Sequence, residues 1–134
     1  MTWTYDSGTG AVARNGGLVG TGYSGNGPGL NNPRAQSVPD TGPIPQGYYT
    51  IGPFADRPIV GAFAAPLTPD PANEMFGRSF FYIHGDNPAL NHTASEGCII
   101  LARPIREQIA ASGDNDLQVL CKGLIYISPL LPVD

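Results

Sequence analysis

Two residues, His84 and Cys98, have the types and surroundings to do chemistry. His84 follows an apolar run, residues 80–83, that is typical of a buried strand, and Gly85 comes directly after it. Cys98 lies where a glycine-containing turn, residues 95–97, meets a second apolar run. A thiol is a good nucleophile only as thiolate, so a catalytic cysteine needs an imidazole or a positive field to lower its pKa. Strands presenting both side chains at neighbouring ends would meet that need, and the sequence predicts a cysteine-dependent acyl-transfer enzyme.

Each of these residues also has a purely structural interpretation. Cys98 could be a buried apolar thiol, since free cysteine is common in protein cores, and His84 could only satisfy a backbone carbonyl. We favour the nucleophile and the general base because the two occur close together beside a glycine turn. Backbone N–H groups of Gly97 and Cys98 are predicted to form an oxyanion hole, because glycine permits the turn that aims them. Ser95 is interpreted as a turn-stabilising hydroxyl, and Asp86 as a turn cap rather than a partner of His84.

A zinc site is the main alternative for these side chains. His84, His92 and Cys98 could act as ligands, with Asp86 and Glu96 as the other donors nearby. No CxxC or HxxxH spacing is present, so we predict neither a metal nor any other cofactor. His92 is predicted to be an exposed loop histidine.

The second cysteine, Cys121, ends an apolar stretch and is interpreted as a packed core thiol. Because the chain has two cysteines, a Cys98–Cys121 disulfide bridge is possible, and it would abolish the nucleophile. Composition predicts one folded domain over residues 1–134: 41% of the residues are apolar, whereas 18 Gly and 14 Pro indicate loops and short strands. A net charge of −4 argues against nucleic-acid binding, and no apolar run approaches the roughly 18 residues of a membrane span.

The chain reads as mainly β with one short helix. Asn15-Gly16 predicts a hairpin, and residues 20–45 are too rich in Gly, Asn and Pro for a regular element. We expect that segment to form one wall of a functional site. Residues 66–75 are predicted to form a loop because they contain three prolines. Pro104 and Gly113 should bound the helix. Strands are predicted at 2–5, 12–14, 18–19, 48–51, 57–65, 78–83, 98–101, 117–121 and 124–128.

The order of the reactive residues separates cysteine-enzyme types. Papain-like enzymes place the cysteine first, on a helix, with the histidine downstream. Here His84-Gly85 comes first, followed by a loop and then Ser95-Glu96-Gly97-Cys98-Ile99, which resembles the L,D-transpeptidase catalytic domain. Residues 42–51 are similar to a strand of that family. Together with residues 20–25, they make the chain resemble the type VI secretion L,D-transpeptidase effectors over most of residues 1–128.

Two positions depart from the wider family. Glu96 stands where histidine is usual, so His84 alone can supply the proximal imidazole. Ile100 stands where the housekeeping enzymes usually have Arg or Asn, so a carboxylate-binding role is lost or moves to Arg103.

The resemblance implies a small L,D-transpeptidase-like β-sandwich or barrel, with its helix after the nucleophile strand. It also implies Cys98 and His84 as catalytic residues, with Gly97 and Ser95 in the same site and Gly85 beside the substrate. Tyr23 and Ser24 could line the groove that binds the substrate, although a surface turn with one packed tyrosine explains them equally well. Arg103 and Arg106 could reach substrate carboxylates, but we expect the solvated helix surface for Arg106.

The implied substrate is the peptidoglycan stem tetrapeptide. A thioester forms as the terminal D-alanine leaves, and transfer to water, a free D-amino acid or another stem gives trimming, exchange or cross-linking. The first residues lack a secretory signal, which predicts cytoplasmic synthesis and delivery, with a secretion-system carrier, to a target-cell periplasm. Removal of an N-terminal segment would explain this equally well. A periplasmic immunity protein is implied as a further partner.

Two rival functions remain open from the sequence. One is a non-catalytic cell-wall binding module, whose cysteine would only pack. The other is a cysteine endopeptidase or amidase of another fold. Alkylation at neutral pH should be much faster for a nucleophile than for a buried core thiol.

Overall fold

The computed structural model describes residues 2–89 and 92–121. The fold is mainly β, as predicted, with one α-helix, α1 (Arg103–Ser112), among the described residues. The strands are β1 (Trp3–Asp6), β2 (Ala11–Arg14), β3 (Gly17–Thr21), β4 (Tyr23–Ser24), β5 (Gly47–Ile51), β6 (Ala55–Arg57), β7 (Gly61–Pro69), β8 (Phe81–His84), β9 (Ile99–Ile100) and β10 (Asp116–Leu120). The predicted strand 124–128 lies outside the described residues.

The strands form one curled sheet in the order β3-β2-β1-β10-β5-β7-β8-β9-β4, with β6 paired only to β7. The two end strands of this order, β3 and β4, are consecutive in the chain and are joined by Gly22. The sheet therefore curls into a nearly closed barrel. A Cβ at Gly22 would lie 2.0 Å from the carbonyl oxygen of Ile100, so only glycine fits where the two edges meet.

Alternating apolar residues fill the barrel. Trp3 and Tyr5 of β1 are buried, as are Tyr49 and Ile51 of β5, because every second side chain of a strand faces the same side. The helix adds Ile105 and Ile109 to this core. No helix among the described residues is long and apolar enough to cross a membrane.

Local signals set the hairpin and the helix where the sequence predicts them. Asn15 and Gly16 both have positive φ, 55° and 79°, as a tight turn between β2 and β3 requires. The helix has proline in its first turn and ends at Gly113, whose φ of 70° is left-handed.

Two strand predictions and one loop prediction are wrong in their limits. The predicted strand 57–65 is broken by a turn at 58–60, and β7 continues through Pro66 to Pro69, where a loop is predicted. The ladder tolerates Pro66 because its carbonyl accepts the Gly52 N–H, 2.8 Å, just beyond the end of β5, so no ladder partner needs a Pro66 N–H. The predicted strand 78–83 begins only at Phe81, because Phe80 has a left-handed φ of 70°.

The segment 20–45 is more regular than predicted. It contains β4, which pairs with β9, and two short 3-10 turns, Gly27–Gly29 and Pro33–Ala35. The Asn26 N–H donates to the Thr41 carbonyl, 2.9 Å, and so closes the segment on itself. Asp40, in the same segment, lines the cleft described next.

Candidate active site

The parallel pairing of β8 with β9 brings the two predicted reactive residues together. Ile83 pairs with Ile99 and His84 pairs with Ile100. Cys98 therefore immediately precedes the paired residues of β9. Ile83 and Ile99 belong to the core, and the residues that alternate with them point out of the barrel. His84 and Cys98 therefore share a face, and both line one open cleft of about 300 Å³.

His84 is buried, and its hydrogen bond fixes the tautomer. Nδ1 lies 2.8 Å from the Gly85 carbonyl oxygen, which can only accept. Nδ1 therefore carries the proton of the neutral ring, and Nε2 keeps its lone pair. Burial lowers the pKa of His84, and the nearby charge of Arg106 lowers it further. The hydrogen bond to Gly85 raises this pKa only in part. The imidazole is thus neutral at pH 7 and suited to accept a proton.

Cys98 rests as a protonated thiol. Its sulfur accepts the Tyr82 N–H at 3.3 Å and lies 3.8 Å from the Phe80 carbonyl oxygen. Burial raises the pKa of Cys98 to about 11, and the Tyr82 N–H lowers it only in part. The site therefore does not hold a ready-made thiolate, and an attack by this sulfur would require a base to take its proton.

Ser95 organises the turn that carries the cysteine. Its hydroxyl accepts the N–H groups of Gly25, 2.9 Å, and Gly97, 3.0 Å, and donates to the Cys98 carbonyl, 2.6 Å. Ser95 is 0% exposed, so its hydroxyl cannot touch a substrate. The predicted turn-stabilising role fits these contacts.

The same hydrogen bonds alter the predicted oxyanion hole. The Gly97 N–H already has Ser95 as its acceptor, which leaves the Cys98 N–H as the remaining predicted donor. Gly97 has a φ of 132°, and a Cβ there would lie 2.6 Å from Arg78 and 2.7 Å from Phe81. Gly97 is therefore required by the backbone shape of the turn.

We expect Ser95→Ala to destabilise this turn. Two buried N–H groups would lose their acceptor, at a cost of about 1–3 kcal/mol for each one left unpaired. Urea unfolding measures the loss, and Ser37→Ala, at an exposed serine, is the matched control and should be neutral. Equal stability of the two variants would show that Ser95 does not hold the turn.

Arg78, which the sequence places only at a strand start, proves to hold the site together. Its guanidinium crosses from the 36–43 segment to the cysteine turn, and its charge opposes the rise in the pKa of Cys98. It donates to the carbonyl oxygens of Gln36 (2.6 Å), Pro43 (2.8 Å), Gly42 (3.0 Å) and Glu96 (3.1 Å). No sequence signal marks these partners, because three of them lie far upstream.

Other residues at the Cys98 cleft also escaped prediction. Glu96 and Asp40 give it two carboxylates, and Ile59 and Phe80 give it an apolar rim. Phe80 is 60% exposed although it is aromatic. The exposure of Phe80 beside the cleft marks it as a site residue, but this exposure can be seen only in the structure.

The two groove residues predicted from the glycine-rich segment separate. Ser24 is fully buried: its hydroxyl donates to the Gly97 carbonyl, 2.9 Å, and accepts the Ile44 N–H, 2.9 Å, so the prediction that it lines the groove is wrong. Tyr23 lines a second cleft of about 570 Å³. Its hydroxyl donates to Asp86, 2.7 Å, and burial together with this bond raises the pKa of Tyr23 to about 12.

The helix arginines also lie at the second cleft rather than beside Cys98. Arg103 is exposed and pairs with Glu107 at 3.3 Å. Arg106 is only 7% exposed, so the predicted solvated role is wrong: its guanidinium folds back onto backbone carbonyls.

The remaining predicted residues have structural surroundings. Asp86 accepts the Asn87 N–H at 2.9 Å besides the Tyr23 hydroxyl, as a turn residue would. His92 is exposed, as predicted, and its ring packs edge-on against Tyr23. Cys121 is buried, as predicted, and is a free thiol, as is Cys98. Among the described residues, no group of three or more His, Cys, Asp or Glu side chains is arranged to hold a metal ion.

Comparison with known proteins identifies the family. A model of the Tlde1 domain, named for the type VI secretion L,D-transpeptidase effectors, matches residues 19–121. The chain belongs to the Tlde1 domain family. The matched range includes His84, Cys98 and both clefts of this Tlde1 domain. Among curated proteins, no match is found. Family membership makes the chain a type VI secretion effector with enzymatic action on peptidoglycan.

Proposed function

We propose that this Tlde1 domain is a cysteine L,D-transpeptidase and L,D-carboxypeptidase that acts on stem tetrapeptides. One observation carries the proposal: His84, the last residue of β8, and Cys98, the residue before β9, line the same open cleft. The imidazole presents an unprotonated Nε2, since Nδ1 is committed to the Gly85 carbonyl. A thiol and a neutral base in one cleft are the minimum set for acyl transfer through a thioester.

The chemical steps follow from these two side chains. Nε2 of His84 takes the thiol proton as Cys98 Sγ attacks the carbonyl that joins the third residue to the terminal D-alanine. The carbonyl oxygen becomes an oxyanion, which the Cys98 backbone N–H would stabilise. The tetrahedral intermediate then expels D-alanine, whose amine takes the proton from His84. A thioester between Cys98 and the third residue remains.

The acceptor decides the product. Water attacks the thioester, with His84 as base, to give a tripeptide and to regenerate the thiol. A free D-amino acid would restore a tetrapeptide with a new terminal residue, and the amine of another stem would give a cross-link. Trimming removes the tetrapeptides that normal cross-linking needs and exchange replaces their terminal D-alanine, which would make the protein toxic.

A toxin of this kind needs a neutralising partner in the cell that makes it. We infer a periplasmic immunity protein that covers the Cys98 cleft, and a secretion-system carrier for delivery. The exposed apolar side chains of Ile59 and Phe80 at the rim of this cleft support such a contact. Undiminished peptidase activity in an excess of the candidate partner would contradict the inferred immunity contact.

Digestion of purified muropeptides tests the enzymatic proposal. Mass spectrometry should show tetrapeptides that lose one alanine, and added D-methionine should appear in place of that alanine. Cleavage elsewhere in the stem would indicate an endopeptidase or amidase instead. Binding without any cleavage would indicate a cell-wall binding module.

A further inference from the structure

The second cleft has no role in the chemical steps described above. It is larger than the Cys98 cleft, and its lining includes Arg103 and Arg106 together with Asp86, Tyr23 and His92. Gly85, which follows the proposed base, lies against Arg106: a Cβ there would be 2.7 Å from Nη2. Arg106 is therefore packed against the residue that directly follows His84.

Arg106 is a buried cation without an anionic partner. Its Nε donates to Leu101, 3.0 Å, and its Nη1 to Ala62, 2.9 Å, and Phe63, 3.0 Å, all of them uncharged carbonyls. Neither of the ion pairs Arg14–Asp114 and Arg103–Glu107 includes Arg106, and Glu107 acts on Arg106 only as a nearby charge. A charge that is more than nine-tenths buried normally has a counter-ion.

One nitrogen of this guanidinium is available to a ligand. In the described part of the chain, Nη2 of Arg106 has no acceptor. It is not sealed from solvent either, since Tyr5 Oη is the one fully buried side-chain polar atom there without a partner. Arg106 is one of the residues that line the second cleft.

Two further features make the cleft positive. The helix α1 begins at Arg103, its preceding residue Ala102 provides no side-chain cap, and its first turn has no acidic residue. The partial positive charge of a helix N-terminus is therefore uncompensated there. Arg103 adds a full charge, and its exposed pair with Glu107 is of a weak kind. Burial, and then repulsion from Arg103, lower the pKa of Arg106.

One negative charge in the lining of the cleft opposes these groups, and Glu107, which is outside that lining, is already paired with Arg103. Asp86 also lines the cleft, but its Oδ1 already accepts the Tyr23 hydroxyl and the Asn87 N–H. Two guanidinium groups and a helix N-terminus outweigh this single, hydrogen-bonded carboxylate.

We propose that the second cleft is an anion subsite that binds a carboxylate of the stem peptide, held by Nη2 of Arg106 and the guanidinium of Arg103. Its identity as a stem-peptide carboxylate rests on the proposed function; the anion site itself does not. Arginine binds carboxylates through paired N–H donors, which also fix their orientation. The terminal D-alanine and the third residue, when it is diaminopimelate, each supply such a carboxylate beside the scissile bond.

Titration of the ¹⁵N-labelled protein with N-acetyl-D-alanine, followed by NMR, tests the subsite without any turnover. Saturable shifts are expected at Gly85, Arg103 and Tyr23, and none with N-acetyl-D-alaninamide. Arg103→Gln should weaken binding by about tenfold, the usual effect of losing one charged hydrogen bond. Arg34→Gln, at an exposed arginine outside both clefts, is the matched control and should bind like the unchanged protein.

Arg106→Lys keeps the charge but removes the planar donor pair, and it should also bind more weakly. If that variant fails to fold, Arg103→Gln still decides the question. Equal shifts with the acid and the amide, or unchanged binding by Arg103→Gln, would overturn the subsite.

Tetrapeptides amidated at one carboxylate identify the bound group, with Cys98→Ala as the binding protein so that no turnover intervenes. Loss of affinity on amidation of the terminal D-alanine or of diaminopimelate supports the proposal and names the carboxylate. No loss with either peptide overturns it. Normal release of D-alanine together with acid and amide binding equally would refute the subsite alone. Acid-selective binding without any release would refute the proposed function alone.

Discussion

Cys98→Ala is expected to release no D-alanine from muropeptides while its fold is retained. No other described side chain in the cleft can form the thioester, and His84 without a thiol has no proton to transfer. Loss of a covalent nucleophile removes catalysis to near the level of the remaining binding and backbone contacts, a fall of at least about a thousandfold. Mass spectrometry of the digest measures release, and circular dichroism checks the fold.

The chain provides its own matched control. Cys121 is the other free thiol, and it is buried, with its sulfur 2.7 Å from the Gln46 side-chain oxygen. Cys121→Ala should keep its turnover, and a trapped acyl-enzyme should still form on Cys98. Turnover that survives in Cys98→Ala, or that is lost only in Cys121→Ala, would show that the thioester is not formed on Cys98.

His84 should set the acid limb of the pH profile. We expect kcat/KM to fall as the pH drops through the pKa of His84, because the imidazolium cannot accept the thiol proton. Burial lowers that pKa, so the midpoint should lie below the ordinary histidine value of about 6.5. Above it the rate should stay level over the neutral range, since Cys98 remains a thiol until near its pKa of about 11. His84→Ala should lose about 10²–10⁴-fold of kcat/KM, together with this acid limb.

Alkylation of the free protein provides an independent check. With a pKa of about 11, Cys98 should react slowly with iodoacetamide at pH 7 and faster as the pH rises. This replaces the sequence-based expectation of rapid alkylation at neutral pH. A reaction midpoint near pH 7 would mean that Cys98 and His84 rest as a thiolate–imidazolium pair, contrary to the neutral pair described above.

Some of the fold and site could be predicted from the sequence because the deciding interactions are local. Asn15-Gly16 needs only its own backbone freedom to form the hairpin, and Pro104 and Gly113 act within a turn of the helix. The apolar runs beside His84 and Cys98 predicted two strands that end near each other, since buried strands are read from composition and length. The limits of those strands were less predictable, because the left-handed backbone at Phe80 depends on its surroundings.

Charged and hydroxyl side chains were placed poorly by comparison. Ser24 looks in the sequence like a polar residue at a groove, yet it is fully buried and its hydroxyl donates to the Gly97 carbonyl of the cysteine turn. Pro66 was interpreted as a loop residue, although whether proline fits a strand depends on which neighbouring strand its nitrogen faces.

By itself the sequence determined the order of the proposed nucleophile and base and predicted the elements that carry them, since each depends on residues close in the chain. Only the tertiary structure decided that Arg78 joins the 36–43 segment to the cysteine turn and that Arg106 is buried beside Gly85. An arginine can reach many partners, and which carbonyls or anions it meets is set by the packing of distant segments. The packing of distant segments therefore placed the cations, whereas local pattern identified the proposed reactive pair that the pairing of β8 with β9 brings together.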